Sequence, residues 1–207
     1  MTTGQSSKIK SMCVVGAGQM GIGIGLVAAR VAKLKVQFVD SSPAQLEKGL
    51  QFLDKLLVKD MSKGKCTEDE RSEVKSRISS VSSISEMSNA DFVVEAVSEN
   101  VELKRKIFAE LSEKLPLDTI LATNTSSISI TKIASAAKKP SNVIGMHFMN
   151  PVPVMKLVEI IPGLQTSNDT LATTLDLAQR MGKVTTMSQD VPGFIANRLL
   201  MPYINEA

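Results

Sequence analysis

The chain has 207 residues, 43% of them hydrophobic and 22% charged, with a formal net charge of +3 and two cysteines. That length suits one substantial domain with at most a small appendage, and the composition is that of a globular protein rather than a disordered or fibrous one. The slight positive balance, with no Lys/Arg block and no interleaved aromatics, argues against nucleic acid, and no apolar run approaches the roughly 18–20 residues that cross a bilayer.

In chain order, Met1 to Lys10 contain Ser, Thr and Lys and no acid, but lack the apolar core of a secretory signal. A first strand follows too soon for a transit peptide. A cytoplasmic location is therefore expected, with the mitochondrial matrix as the alternative. Cys13 falls in a buried strand and Cys66 in a polar loop, which fits a reducing compartment rather than a disulfide framework. No metal site is expected.

Met12-Cys13-Val14-Val15 has the length of a short buried strand, and Gly16, Gly18 and Gly21 follow it with the spacing G-x-G-x-x-G. Met20, Ile24, Val27, Ala28 and Val31 then recur at helical spacing, and Val36-Gln37-Phe38-Val39 is a second strand ending on Asp40. Gly16 permits a sharp turn, Gly18 removes a side chain that would block a pyrophosphate, and Gly21 allows close packing of helix on strand. The helix N-terminus points unpaired N–H groups and a positive dipole end at the phosphates. Asp40 is placed to accept from the ribose hydroxyls of an adenosine half and to repel a 2′-phosphate, which selects NAD over NADP. Glycines also mark ordinary turns. Here strand, turn, helix, strand and acid arrive in order, the context a dinucleotide site requires.

Pro43 opens a helix with Leu46, Leu50, Leu53, Leu56 and Leu57 on one face and Lys48, Lys55 and Lys59 among its polar positions. After a loop over 61–66, Thr67 and Glu70 make a capping box for a helix through about Ile78. A short strand and a turn occupy 79–90, and Asp91 to Val97 reads as another buried strand. A helix from about Val101 to Leu115 and a strand over Thr119–Thr123 follow. Asn124 to Ser127 is then a loop, Ile128 to Ala137 a helix and Val143 to Phe148 a strand. Lys156–Ile161 is a strand, Asp169–Met181 a helix and Val184–Met187 a strand, and Pro192-Gly193 introduces a last apolar helix. The alternation predicts an α/β fold of Rossmann type, a doubly wound and mostly parallel sheet. Residues 1–190 form the dinucleotide-binding domain, and 191–207 the first helix of a helical domain that is cut short.

In such sheets ligands bind outside the C-terminal ends of the strands. That rule gathers Gly16–Gly21, Ser98–Asn100, Asn124–Ser127, His147 and Asn150 at one edge. His147 is the single histidine, and hence the obvious base near neutral pH. Glu159 sits in the otherwise apolar run Lys156 to Ile161, where a carboxylate is costly unless partnered. Paired with His147 it would fix the tautomer and stabilise the imidazolium. The alternative is an exposed position on an edge strand. Ser126 and Ser127 could donate to a substrate oxygen or cap a helix.

Together, Asn124-Thr125-Ser126-Ser127, the run from His147 through Pro151 and Pro153 to Glu159, and Pro192-Gly193-Phe194-Ile195-Ala196-Asn197-Arg198 resemble the 3-hydroxyacyl-CoA dehydrogenase family. The likeness extends from Lys10 to the end of the chain. It implies an oxidoreductase of fatty-acid metabolism that interconverts 3-hydroxyacyl-CoA and 3-oxoacyl-CoA by hydride transfer with NAD. His147 would be the catalytic base and Glu159 its orienting carboxylate, with Ser126 and Asn197 positioning substrate oxygens and the nicotinamide. Gly16, Ala17, Gly18, Gln19, Met20, Gly21, Asp40, Glu99, Lys104, Ser126 and Asn150 would hold NAD. Lys55 and Lys59 are candidates for the CoA nucleotide. The family continues into an all-helical domain that completes the acyl cleft and makes a homodimer. A chain ending at Ala207 is expected to lack both, and so to bind NAD with impaired turnover. Two other readings compete: a dehydrogenase of a free hydroxy acid, which would use a lysine catalyst, and a dinucleotide-binding protein without catalysis.

Overall fold

A computed structural model describes residues 9–206, so the amino-terminal stretch behind the targeting argument lies almost wholly outside the described residues, as does residue 207. The first apolar run forms β1 (Ser11–Val15), followed by α1 (Gln19–Arg30) and β2 (Lys35–Val39). Next come α2 (Pro43–Ser62), α3 (Glu68–Ser76) and β3 (Ile78–Val81). The Ser42 side chain caps α2 by accepting from the Gln45 N–H, and the Thr67–Glu70 capping box opens α3 as expected. The chain continues through β4 (Phe92–Glu95), α4 (Val101–Lys114), β5 (Ile120–Thr123), α5 (Ile130–Ala134) and β6 (Val143–Phe148). It ends with β7 (Leu157–Pro162), α6 (Asn168–Arg180), β8 (Val184–Met187) and α7 (Ala196–Glu206).

The eight strands make one sheet in the order β3-β2-β1-β4-β5-β6-β7-β8. It is parallel from β3 through β6, with β7 antiparallel to β6 and β8 parallel to β7. The reversal has a simple cause. Residues 149–156 are too few for a helical crossover, so the chain can only fold back, whereas α6 provides the crossover to β8. The strand order turns back between β1 and β4, and the crevice outside their C-terminal ends is where such sheets bind ligands.

Two buried layers cover the sheet. One packs α1, the leucine face of α2 and residues Leu177 and Ala178 of α6 against Val14, Phe38, Met146 and Ile160. The other packs Ile107, Phe108 and Leu111 of α4 and Ile130 and Ile133 of α5 against Val15, Val93, Leu121 and Ile161. Several boundaries moved: α2 runs on to Ser62 and the strand expected over Asp91–Val97 is only Phe92–Glu95. The helix after Thr67 stops at Ser76, because Ile78 pairs with Val36 as the first residue of β3. The helix expected over 128–137 is only Ile130–Ala134, capped by Ser129 rather than by Ser126 or Ser127. The last helix starts at Ala196, after a turn in which Gly193 has φ +78 and Phe194 φ +49.

Candidate active site

The glycine loop folds as its residues require. Gly16 sits at φ +107, a conformation glycine adopts without strain, and donates its N–H to Val39 O at 2.7 Å. A Cβ on Gly21 would lie 1.9 Å from Gly16 O, so only glycine fits there. A Cβ on Gly18 would meet nothing within 4 Å and would project into open space at the helix start. No side chain caps the α1 N-terminus, and its first turn holds no acid. The open cradle therefore fits a pyrophosphate. Asp40 follows β2, with Oδ2 accepting from Ala17 N and Oδ1 from Ser42 N, both at 2.9 Å. Each oxygen keeps a second lone pair for a ribose hydroxyl. Gly16, Gly18, Asp40, Val97, Ser98 and Lys106 are among the residues lining a cleft of about 520 Å3 beside the loop. Lys55 and Lys59 are exposed on α2 and do not line it.

At the other end of the crevice, His147 and Glu159 face each other directly across the antiparallel β6–β7 ladder. Opposed residues of adjacent strands project to the same face, which brings His147 Nδ1 to 2.6 Å from Glu159 Oε2. Glu159 is fully buried in an interior strand, so the edge-strand alternative fails. Its second oxygen accepts from Ile195 N at 2.9 Å and Ala196 N at 2.8 Å, at the start of α7. The Phe194 ring lies 5.9 Å from the imidazole and shields it. With Nδ1 committed to the carboxylate, Nε2 is the nitrogen left to exchange a proton.

Between these ends, Glu99 gathers the loop after β5. Its carboxylate accepts from the Thr125 hydroxyl at 2.5 Å, Ser126 N at 2.8 Å and the Ser126 hydroxyl at 3.1 Å. Burial alone would raise its pKa, but these bonds and the nearby Lys104 ammonium outweigh burial and hold Glu99 below the ordinary carboxylate range. Asn197 Nδ2 donates to Ser126 O at 3.3 Å, which joins α7 to the same loop. Asn150 Oδ1 accepts from Gln19 Nε2 at 3.2 Å, tying the end of β6 to the α1 N-terminus. Lys104 lies in the interior, at 1% exposure, and reaches the site through Glu99, whose Oε2 is 3.5 Å from its ammonium.

Glu95 and Asp190 went unread in the sequence, and Asn124 was read only as part of a loop at the ligand edge. Glu95 is a buried carboxylate ending the apolar run of β4, and the reasoning that singled out Glu159 applies to it equally. Asn124 accepts from Phe148 N at 2.8 Å and holds the end of β6 against β5. Asp190 accepts from Ile130 N, Thr131 N and the Ser129 and Thr131 hydroxyls at 2.7–2.9 Å, fastening the segment before α7 to α5. No signal in the sequence marks that last contact.

Known proteins share both this sequence pattern and this fold. Residues 11–191 match the model of the 3-hydroxyacyl-CoA dehydrogenase, NAD binding domain family. A probable 3-hydroxybutyryl-CoA dehydrogenase of Bacillus subtilis is 50% identical over 200 residues, covering 97% of this chain and 69% of that protein. The fatty acid oxidation complex subunit alpha of Acinetobacter baylyi is 43% identical over 195 residues, 94% of this chain and 27% of that one. Among solved structures, (S)-3-hydroxybutyryl-CoA dehydrogenase from Ralstonia eutropha superposes with a TM-score of 0.93 at 42% identity, over 96% of this chain and 70% of that one.

Proposed function

Because the chain belongs to the 3-hydroxyacyl-CoA dehydrogenase family, we propose that it interconverts 3-hydroxyacyl-CoA and 3-oxoacyl-CoA in fatty-acid metabolism, with NAD as cofactor. NAD, when bound, supplies the hydride acceptor. His147 Nε2 takes the proton of the 3-hydroxyl as the carbinol is oxidised and returns it in the reverse direction. Glu159 holds the imidazole in the tautomer that leaves Nε2 free and offsets the imidazolium charge. Ser126 and Asn197 orient the substrate oxygens and the nicotinamide, Glu99 and Asn150 hold the nicotinamide half, and Lys55 and Lys59 meet the CoA nucleotide.

The observation that carries this reading is the His147–Glu159 contact of 2.6 Å, with a fully buried carboxylate anchored by two backbone N–H groups. One feature favours a second reading for the 207-residue chain on its own. Leu199, Tyr203 and Ile204 on α7 are 57–71% exposed, the pattern of a face that packs on something else. In that reading 191–207 begins a helical domain that completes the acyl cleft and a homodimer, and the chain alone binds NAD with impaired turnover. Residues 1–190 are the cofactor domain in both readings. We place the protein in the cytoplasm or the mitochondrial matrix; among the described residues no helix is long and apolar enough to cross a membrane.

Acetoacetyl-CoA with NADH tests the proposal, following NADH absorbance for turnover and its fluorescence for binding. Turnover abolished by His147→Ala with NADH affinity retained supports the dehydrogenase. Binding without turnover supports the second reading. Failure to bind NADH, or turnover indifferent to His147→Ala, refutes the assignment.

A further inference from the structure

Ala17 lies between the first two glycines of the loop, and both of its polar backbone groups are held from outside that loop. Its N–H donates to Asp40 Oδ2 and its carbonyl accepts from Gln45 Nε2, both at 2.9 Å. The carbonyl also sits against α2 at Gly49, where a Cβ would lie 2.6 Å from it. Glycine at that position lets α2 come close enough for Gln45 to reach.

Gln45 is not spent on its own helix. It follows the Ser42 N-cap of α2 by three residues, the position whose Gln or Glu folds back onto the N-cap N–H in a capping box. Only half of that box is made. Ser42 Oγ accepts from Gln45 N, but the Ser42 N–H is taken by Asp40 Oδ1. The Gln45 amide crosses to the glycine loop instead, and the residue lines the cleft together with Gly16, Gly18 and Asp40.

The consequence for the loop follows from peptide geometry. The Ala17–Gly18 bond is trans and planar, so the Ala17 carbonyl and the Gly18 N–H point in opposite directions. Holding the carbonyl on α2 turns the Gly18 N–H away from α2. Among the described residues no backbone carbonyl accepts from it. Gly18 is also the N-cap of α1, so this N–H stands beside the orphan donors of the first helical turn.

We propose that Gln45 is a positioning residue for the pyrophosphate: by holding Ala17 O it fixes the plane of the Ala17–Gly18 peptide and presents the Gly18 N–H to the phosphates. The inference rests on the NAD-dependent reading given above. It divides the work at the loop, with Asp40 serving the ribose and Gln45 the phosphates. The same bond ties α2 to the loop, and a tether alone would act on every ligand of the cleft alike.

Competition against NADH fluorescence, on the whole chain, gives dissociation constants for ADP and for adenosine, which lacks the phosphates. Gln45→Met keeps the length of the side chain and removes the donor. It is expected to weaken NADH and ADP about tenfold, the size of one hydrogen bond to a charged group, and to leave adenosine within about twofold of the parent. Gln45→Glu sets a second acceptor against Ala17 O and is expected to weaken ADP at least as much. NADPH and NADH should weaken together in Gln45→Met, whereas a disturbance relayed through Asp40 would shift their ratio and count against the proposal. ADP affinity within about twofold of the parent overturns it, and so does an equal loss of ADP and adenosine, the mark of a tether alone. Should Gln45→Met fail to fold, Gln45→Glu decides by the same comparison of ADP with adenosine. A parent that binds neither NADH nor ADP sinks the cofactor reading and this proposal together. A parent that binds both, with Gln45→Met unchanged, sinks this proposal alone.

Discussion

Glu159→Gln isolates what the carboxylate does for the base. The substitution keeps the volume of a fully buried side chain. The amide oxygen can still accept from Ile195 N and Ala196 N, so the start of α7 keeps its anchor. That choice turns the amide N–H toward His147 Nδ1, which must then accept. The ring proton moves to Nε2, the atom that has to receive a proton from substrate. The lost charge adds to the loss of tautomer. With charge centres about 4 Å apart and an effective dielectric near 20, carboxylate and imidazolium attract by about 4 kcal/mol, or about three decades in rate. Removing the orienting acid of a comparable dyad costs a similar factor. Turnover of acetoacetyl-CoA should therefore fall by roughly two to four orders of magnitude, with NADH affinity within about threefold of the parent. A rate within tenfold of the parent would refute the reasoning, because it would leave Glu159 as a strand carboxylate with no part in proton transfer.

Other expectations follow from the glycine loop and its surroundings. Gly18→Ala should leave the thermal midpoint nearly unchanged, since its methyl meets nothing, yet weaken NADH binding at least ~10-fold by filling the pyrophosphate cradle. Gly21→Ala should lose both stability and binding, because its methyl cannot avoid Gly16 O; equal stability of the two variants in a melting curve would contradict this. Asp40→Asn should narrow the preference for NADH over NADPH by about 10-fold or more, measured as a ratio of dissociation constants. Burial alone would raise Asp190, but hydrogen bonds from Thr131, Ile130 and Ser129 outweigh it and hold its carboxyl below the usual range. The unfolded state then binds the proton more readily, so the stability from Asp190 is complete above about pH 4 and is lost as pH falls through the folded value. In urea unfolding across pH, the difference between parent and Asp190→Asn should shrink on acidification; a difference that grows toward low pH would reverse the assigned sign.

Much of this protein follows from local chemistry. The strand, glycine turn, helix, strand and acid between Ser11 and Asp40 act within one short stretch, and each residue's role is set by its neighbours. The Thr67–Glu70 capping box, the leucine face of α2 and the alternation of strands with helices are equally local, because they depend on side-chain periodicity and on orphan backbone groups at helix ends. Even Glu159 could be singled out, since a carboxylate in an apolar strand requires a partner wherever it lies. The same argument was available for Glu95 and pointed to no particular lysine.

What the tertiary structure decided is which distant groups meet. Periodicity says that a residue is buried, not what it is buried against. The connection over 149–156 forces β7 to reverse, and only that reversal sets His147 opposite Glu159 in register. The turn through Gly193 and Phe194 then brings the Ile195 and Ala196 N–H groups onto Glu159 Oε1, a contact between backbone donors that no residue type advertises. Glu95, Lys104 and Glu99 converge because β4 lies beside β5 and α4 starts over their ends, and Asp190 finds α5 across sixty residues of chain. These meetings are fixed by strand order and loop length acting on the whole chain, which is why local pattern named the candidates and only the assembled sheet paired them.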